Sequence, residues 1–339
     1  VDFKDNGRFT GIGERSKLAL KTCNFICQPG RKPLVDINNT KRTVFTGIRH
    51  DMVESRLTPN SLSYAAYRLF HDKAGFEQLV VYQAISTNAV ELDDYADYLA
   101  GLLQFEMATH DHIISVRDES NKNHPKKRLR QRAFKQLYER GEIADPGDIY
   151  MYENNYVQFN FKTGEFRVYS LDKYDRGIGN FGVPASIRAS RLIDRLKNVW
   201  SENPLVLTRS NHETQFIYVK SPVMSYLGTL YSKMMDGESK FLHHSDDGLF
   251  VLHCKDGVLI VEKDISSCDS SNSSLVFDKL EKFVPEEFKR DIHALVTQCT
   301  KCVVIGYGPT KLKFKPNGPF EYSGTTLTTV LNNIASLCI

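Results

Sequence analysis

The chain has 339 residues, 41% of them hydrophobic, 25% charged and 11% aromatic, with a formal net charge of +3. That length allows two or three domains and a large core. The near-neutral balance excludes a general polycation, so any nucleic-acid affinity has to come from local patches.

No run reaches the roughly 18 apolar residues of a membrane span, and Val1-Asp2-Phe3-Lys4 is neither a signal peptide nor an initiator Met. Seven cysteines, odd in number and scattered, argue against a disulfide framework and for a reducing compartment. Residues 1–60 are rich in Gly, Arg and Asn with little periodicity and read as loops and short strands. Across 61–140 the pattern is helical: Leu62, Ala66, Leu69 and Phe70 share one apolar face, and Tyr95, Tyr98, Leu99, Leu102 and Leu103 another. Residues 122–132 are the most basic stretch. A solvated helix start is its plainest meaning, and an RNA-contacting patch the sharper one.

Residues 150–172 alternate as strands do, with Val157, Phe159 and Phe161 opposite polar neighbours and a turn at Thr163-Gly164. Helical spacing returns over 185–200 through Ile187, Leu192, Ile193, Leu196 and Trp200. Between 240 and 264 two strand–turn–strand units follow. Residues 241–244 lead through Ser245-Asp246-Asp247-Gly248 into 249–252, and Lys255-Asp256-Gly257 turns that strand into Val258-Leu259-Ile260-Val261. Asp-Gly is a strong hairpin signal. Residues 275–298 read as one amphipathic helix, Val303-Val304-Ile305 as a short strand, and Ser323-Gly324 as a turn opening a last helix. Cys299 and Cys302 have zinc-knuckle spacing without a second such pair, and Cys23, Cys27, His253 and Cys254 are the candidate co-ligands. Two free thiols are the plainer explanation. No Gly-x4-Gly-Lys-[Ser/Thr] loop is present, which argues against a P-loop ATPase.

Two constellations carry chemistry. Asp264 directly ends an apolar run read as a buried strand, and Asp269 follows past a Ser-Ser-Cys turn. A carboxylate on rigid strand-end backbone suits magnesium. Taken alone, the pair equally describes a solvated strand end followed by a helix N-cap. The second constellation is Ser323-Gly324-x3-Thr328-x3-Asn332. Gly324 permits a tight turn against a bound strand, and Thr328 and Asn332 project one turn apart from a single helical face. Capping explains Ser323 but not the Thr–Asn pair after it.

Together these segments resemble motifs A and B of the palm of viral RNA-dependent RNA polymerases, most closely the nodavirus- and tombusvirus-like enzymes of positive-strand RNA viruses. Leu171-Asp172-Lys173-Tyr174-Asp175-Arg176-Gly177-Ile178-Gly179-Asn180 is similar to the fingers segment called motif F. The resemblance covers roughly residues 170–339. It implies an α+β right-hand polymerase: a fingers-like region over 1–240 with motif F near 171–191, then a partial palm over 241–339 with an antiparallel sheet and packed helices, the thumb being absent.

The implied activity is template-directed nucleotidyl transfer from NTPs with Mg2+ or Mn2+, an in-line displacement eased by two metal ions. By resemblance Asp264 is the metal-binding acid and Asp269 its catalytic companion, and Asp269 and Asn332 check the sugar 2′-hydroxyl. Ser323, Gly324 and Thr328 would contact the template and nascent pair. Lys173 and Arg176, with Arg188 and Arg191 from the next helix, would grip the triphosphate. Implied partners are RNA template and product, nucleoside triphosphates and other viral replication proteins. The implied setting is host cytoplasm, on membrane-associated replication complexes.

A working palm also needs motif C, a hairpin whose turn carries a second metal-binding acid. No Asp follows Asn332, whereas Asp246-Asp247 lies upstream between apolar strands, with Ser245 where Gly-Asp-Asp has glycine. In a permuted C-A-B palm, Asp246 and Asp247 would be metal ligands. In a truncated one, motif C lies beyond Ile339 and the fragment is inactive alone. The sequence ends within a helical pattern at Leu337-Cys338-Ile339, which favours truncation. Two rivals stand beside these readings. One is a non-catalytic RNA-binding module using 122–135 and exposed aromatics. The other is a magnesium-dependent nucleotidyl or phosphoryl transferase that shares Asp264 without a sugar check.

Overall fold

The structure, a computed structural model, describes residues 42–44, 52–54, 83–108, 127–139, 156–161, 166–168, 177–180, 183–209, 212–237, 239–265, 268–272, 274–300, 302–307, 310–314 and 318–339. The architecture is α+β. Its centre is a five-stranded sheet of β6 (Leu205–Arg209), β7 (His212–Tyr218), β8 (Lys240–His244), β9 (Asp247–Cys254) and β10 (Gly257–Asp264). The spatial order is β10-β9-β8-β7-β6, antiparallel throughout except for β7 beside β8. A parallel neighbour needs a crossover, and helix α4 (Met224–Met235) supplies it.

Alternation along these strands sorts side chains onto two faces. Phe216, Tyr218, Phe241 and His243 face the main core; Leu242, Leu249 and Val251 face α4, where they meet Val219, Leu230 and Met234. Four further helices complete the main core: α1 (Ala89–Ala108), α3 (Val183–Glu202), α6 (Ser274–Lys282) and α7 (Glu286–Gln298). The helix lying against β8 is α8 (Thr328–Cys338), all of whose residues from Val330 to Cys338 are buried. Trp200 anchors the junction of these layers, stacked on Phe283 at 5.1 Å and tilted against Tyr218 at 5.2 Å. Helix α2 (Lys127–Glu139) packs on α3, and α5 (Cys268–Ser271) is a single turn.

Two smaller sheets use the remaining strands. β3 (Tyr156–Phe161), β5 (Gly177–Asn180), β11 (Cys302–Tyr307) and β12 (Thr310–Phe314) run in the order β12-β11-β3-β5. β1 (Arg42–Val44), β2 (Met52–Glu54) and β4 (Phe166–Val168) form the other. The alternating segment 150–172 is thus not a hairpin: β3 and β4 join different sheets.

Two further expectations need correction. Residues 275–298 form two helices, not one, because Pro285 has no amide hydrogen to continue a helix and instead opens α7. Those helices pack on α1, α3 and α8, and it is α8 that crosses the sheet. The apolar strand before Asp264 is an edge strand, with Val258, Leu259, Ile260 and Val261 each 42–51% exposed, so its hydrophobicity does not reflect burial. The central sheet takes strands from both sides of residue 240, β6 and β7 before it and β8, β9 and β10 from it onward. Among the described residues no helix is long and apolar enough to cross a membrane.

Candidate active site

The site begins at a two-residue turn. His244 pairs with Asp247 across β8 and β9, leaving Ser245 and Asp246 to reverse the chain. Ser245 adopts φ +52, a left-handed conformation in which an L side chain is strained. Its backbone N–H donates to Asn333 Oδ1 at 2.9 Å, which ties the turn to α8. Across β9 and β10, Asp247 pairs with Asp264. Cα atoms of antiparallel partners lie about 4.5–5.5 Å apart, so the turn that starts β9 and the residue that ends β10 occupy the same end of the sheet. The Ile265 N–H donates to the Asp246 carbonyl at 3.1 Å and keeps the exit from β10 against this turn.

Four acids therefore meet around one sheet end. Asp247 and Asp264 are exposed, and Asp246 and Asp269 half-buried. Burial raises the Asp246 carboxyl above its ordinary value, and the negative charges of Asp247, Asp264 and Asp269 raise it further against a backbone hydrogen bond.

Behind the acids runs a buried chain of amides. Asn332 Nδ2 donates to Asp269 Oδ1 at 2.9 Å. Asn272 Nδ2 donates to Asn332 Oδ1 at 2.8 Å and to Glu321 Oε2 at 2.6 Å. Asn272 is 0%, Glu321 1% and Asn332 3% exposed, so water does not share in these bonds. Burial, reinforced by the charge of Asp269, holds the Glu321 carboxyl well above the carboxylate range.

Lys263 pins the acid-bearing strand to α8: its Nζ donates to the Ser336 carbonyl at 2.6 Å and sits 4.7 Å from the centre of the Phe241 ring. Burial pulls this lysine down to about 8. Phe241 in turn stacks on His243 at 5.5 Å, and burial, followed by the charge of Lys263, lowers that imidazole to about 3 and keeps it neutral. On the opposite face of the sheet a cavity of about 800 Å³ opens between α4 and the acids, with Met224, Leu227, Tyr231, His244, Asp247 and Asp264 in its wall.

The turn before α8 is held by the chain itself. Gly324 adopts φ +101, and a Cβ there would lie 2.4 Å from Ile178 Cγ1 and 2.8 Å from the Gly179 carbonyl. The Gly179 N–H donates to the Ser323 carbonyl at 2.6 Å. The close approach that requires glycine is thus made by β5. Thr328 turns its hydroxyl back to the Tyr322 carbonyl at 3.3 Å, closing the same turn.

Asp246, Asp247, Asp264, Asp269 and Asn332 are brought together; Ser323, Gly324 and Thr328 form the adjoining turn. Lys173 and Arg176 lie outside the described residues. Arg188 and Arg191 belong to α3, and their side chains lie outside the described ones. Cys299 is buried and free while Cys254 is exposed, and no described group of His, Cys, Asp or Glu gathers around either in a way that suits a metal. Sequence reasoning missed Asn272, Glu321, Lys263 and Asn333. The one available signal was an acid, Glu321, set between the aromatic residues Phe320 and Tyr322.

Chemically, carboxylates clustered at one sheet end are a donor set of the kind a hard divalent cation neutralises. Among the described residues no three such side chains already close on one point, so ion binding would require them to rotate inward. Compared with known proteins, the chain matches no family model and no curated sequence.

Proposed function

We propose that this chain carries the palm of an RNA-directed RNA polymerase, with its acidic motifs in the permuted order C-A-B. The observation that carries the reading is the pairing of Asp247 with Asp264 at one sheet end, beside the Asp269–Asn332 hydrogen bond. In this reading Asp264, with Asp246 and Asp247, would hold Mg2+ or Mn2+. Such ions neutralise the charge that develops on the attacking and leaving oxygens of an in-line phosphoryl transfer. Asp269 has a second carboxylate oxygen to accept a bond from a ribose 2′-hydroxyl, and Asn332 holds that carboxylate in place. A 2′-deoxyribose offers no such donor.

The paired acids favour the permuted order over a motif C located elsewhere. The two hairpins set Asp246 and Asp247 beside Asp264 through local register alone, which is the arrangement a shared ion needs. The test is primer extension on an RNA template by the purified protein with Mg2+ or Mn2+. Asp264→Asn and Asp247→Asn should each lower incorporation by roughly a thousandfold or more, since a metal site contributes several kcal/mol. Full activity in the Asp246→Asn/Asp247→Asn double variant would refute the permuted order. Absence of template-dependent incorporation by the unaltered protein would refute the permuted polymerase reading, in which this chain holds every acid that the chemistry needs.

A further inference from the structure

The buried amide chain ends on Glu321, a group with no part in the reading above. We propose that Glu321, acting through Asn272, is a positioning residue that fixes which way the Asn332 amide faces, and so sets how strictly a ribose is told from a 2′-deoxyribose. The sugar-check part of this inference rests on the polymerase reading; the orientation of Asn332 does not.

A primary amide has two ends of nearly equal size and opposite hydrogen-bonding sense, so its partners decide its orientation. Asp269, when ionised, only accepts, and Asn332 must therefore present Nδ2 to it. That leaves Asn332 Oδ1 needing a donor, which Asn272 Nδ2 supplies. The second hydrogen on the same nitrogen goes to Glu321 Oε2. Polarity along the line is thus set from both ends, by an acceptor at Asp269 and by Glu321 Oε2, which still accepts when the carboxyl carries a proton on Oε1.

Remove the acceptor at 321 and an Asn272 turned end over end loses nothing there. With Asp269 the one acceptor left to oppose it, turning the whole line then costs one hydrogen bond rather than two, so an Asn332 that faces Asp269 with its oxygen gains population. Water does not correct this, because Asn272 and Asn332 are 0% and 3% exposed. Nor do competing bonds: among the described residues Asn272 Oδ1 and Glu321 Oε1 have no hydrogen-bond partner, so the line is held by these contacts alone. Burying a carboxyl to 1% exposure is costly where packing is the only requirement. Glutamine keeps the acceptor, and methionine of similar size removes it.

The experiment compares the unaltered protein with Glu321→Gln, Glu321→Met and Asn272→Ala. It reads the ratio of UTP to dUTP incorporation efficiency and, separately, the Asn332 side-chain amide signals by NMR. Glu321→Gln should keep the ratio within about twofold. Glu321→Met and Asn272→Ala should each lower it roughly tenfold, the equilibrium worth of one hydrogen bond. The Asn332 amide signals should shift in the last two variants and stay in place in Glu321→Gln. An unchanged ratio and unmoved signals in Glu321→Met would overturn the proposal; should that variant fail to fold, Asn272→Ala decides in the same way. If the unaltered protein incorporates no nucleotide, the permuted polymerase reading falls, and the NMR comparison still decides whether Glu321 orients Asn332.

Discussion

Replacing Gly324 by alanine should destabilise the protein by roughly 2–6 kcal/mol, from two sources that can be separated. The backbone at φ +101 is unfavourable for any L side chain, which adds about 1–3 kcal/mol. The new methyl would also lie 2.4 Å from Ile178 Cγ1 and 2.8 Å from the Gly179 carbonyl oxygen, and overpacking of that kind adds about 1–3 kcal/mol. Ile178 is exposed and free to swing away. The Gly179 carbonyl is not, because its residue bonds Ser323 at 2.6 Å and pairs with Phe159 in β3.

Gly228 provides the internal control. It lies within α4, and a Cβ there meets nothing within 4 Å, so Gly228→Ala should stabilise by about 1 kcal/mol through helix propensity. Urea denaturation should move the two midpoints in opposite directions at unchanged slope. Adding Ile178→Ala to Gly324→Ala should recover part of the loss, leaving the carbonyl contact and the φ strain. A Gly324→Ala midpoint within ~0.5 kcal/mol of the unaltered protein would refute the account of this turn.

Other expectations can be checked on the same protein. Asn332→Ala should relax ribose selection and also lower stability by about 1–3 kcal/mol, because it leaves one of the two hydrogens on buried Asn272 Nδ2 without its acceptor; normal denaturation would count against the buried network. Burial holds the folded Glu321 carboxyl well above its ordinary value of 4.5, so between those two values the folded chain keeps a proton that the unfolded chain loses. The folded state then binds more protons, so its stability is greatest below the ordinary value and falls as pH rises towards the folded one. Glu321→Gln should therefore gain on the unaltered protein from pH 4 to pH 8 in denaturation experiments, and a pH-independent gap would refute this. Asp246→Asn should raise the melting temperature without metal by relieving repulsion from Asp247, Asp264 and Asp269. Added Mn2+ should raise the melting temperature of the unaltered protein more than that of Asp247→Asn, and equal shifts would exclude Asp247 as a ligand.

The central hairpins were legible because local chemistry determines them. The run from Phe241 to Val261 alternates with two polar turns, and both turns form where they were expected. The pairing of Asp269 with Asn332 was implied by resemblance, and the two side chains do meet at 2.9 Å. What failed depended on tertiary context. Val258-Leu259-Ile260-Val261 has the composition of a buried strand and occupies an edge. The strands at 156–161 and 166–168 have hairpin spacing but find partners far away in sequence, β11 for one and β2 for the other. Asn272 and Glu321 are ordinary polar residues in sequence, and only the packing of α8 against the loop after β10 makes them a buried pair.

Motif order need not matter to the chemistry, and the sheet shows why. Two acids reach one ion if they sit at the same end of adjacent antiparallel strands, and an acid entering one strand and an acid leaving its partner satisfy this however the strands are joined. Here a short turn at Lys255 and Asp256 makes the connection, so the Asp247–Asp264 pairing is local. Closing a short loop carries a small entropic penalty. The pair that the proposed reading assigns to the ribose is different, because Asp269 and Asn332 are 63 residues apart and meet only when α8 packs beneath the sheet. Lys263 bonding to Ser336, and Ser245 to Asn333, are the contacts that lock this second layer to the first. The Asp247–Asp264 pair thus depends on register and the Asp269–Asn332 bond on packing. A change that loosens α8, such as loss of the Lys263 or Asn333 bonds, should disturb sugar choice before it disturbs the acid cluster.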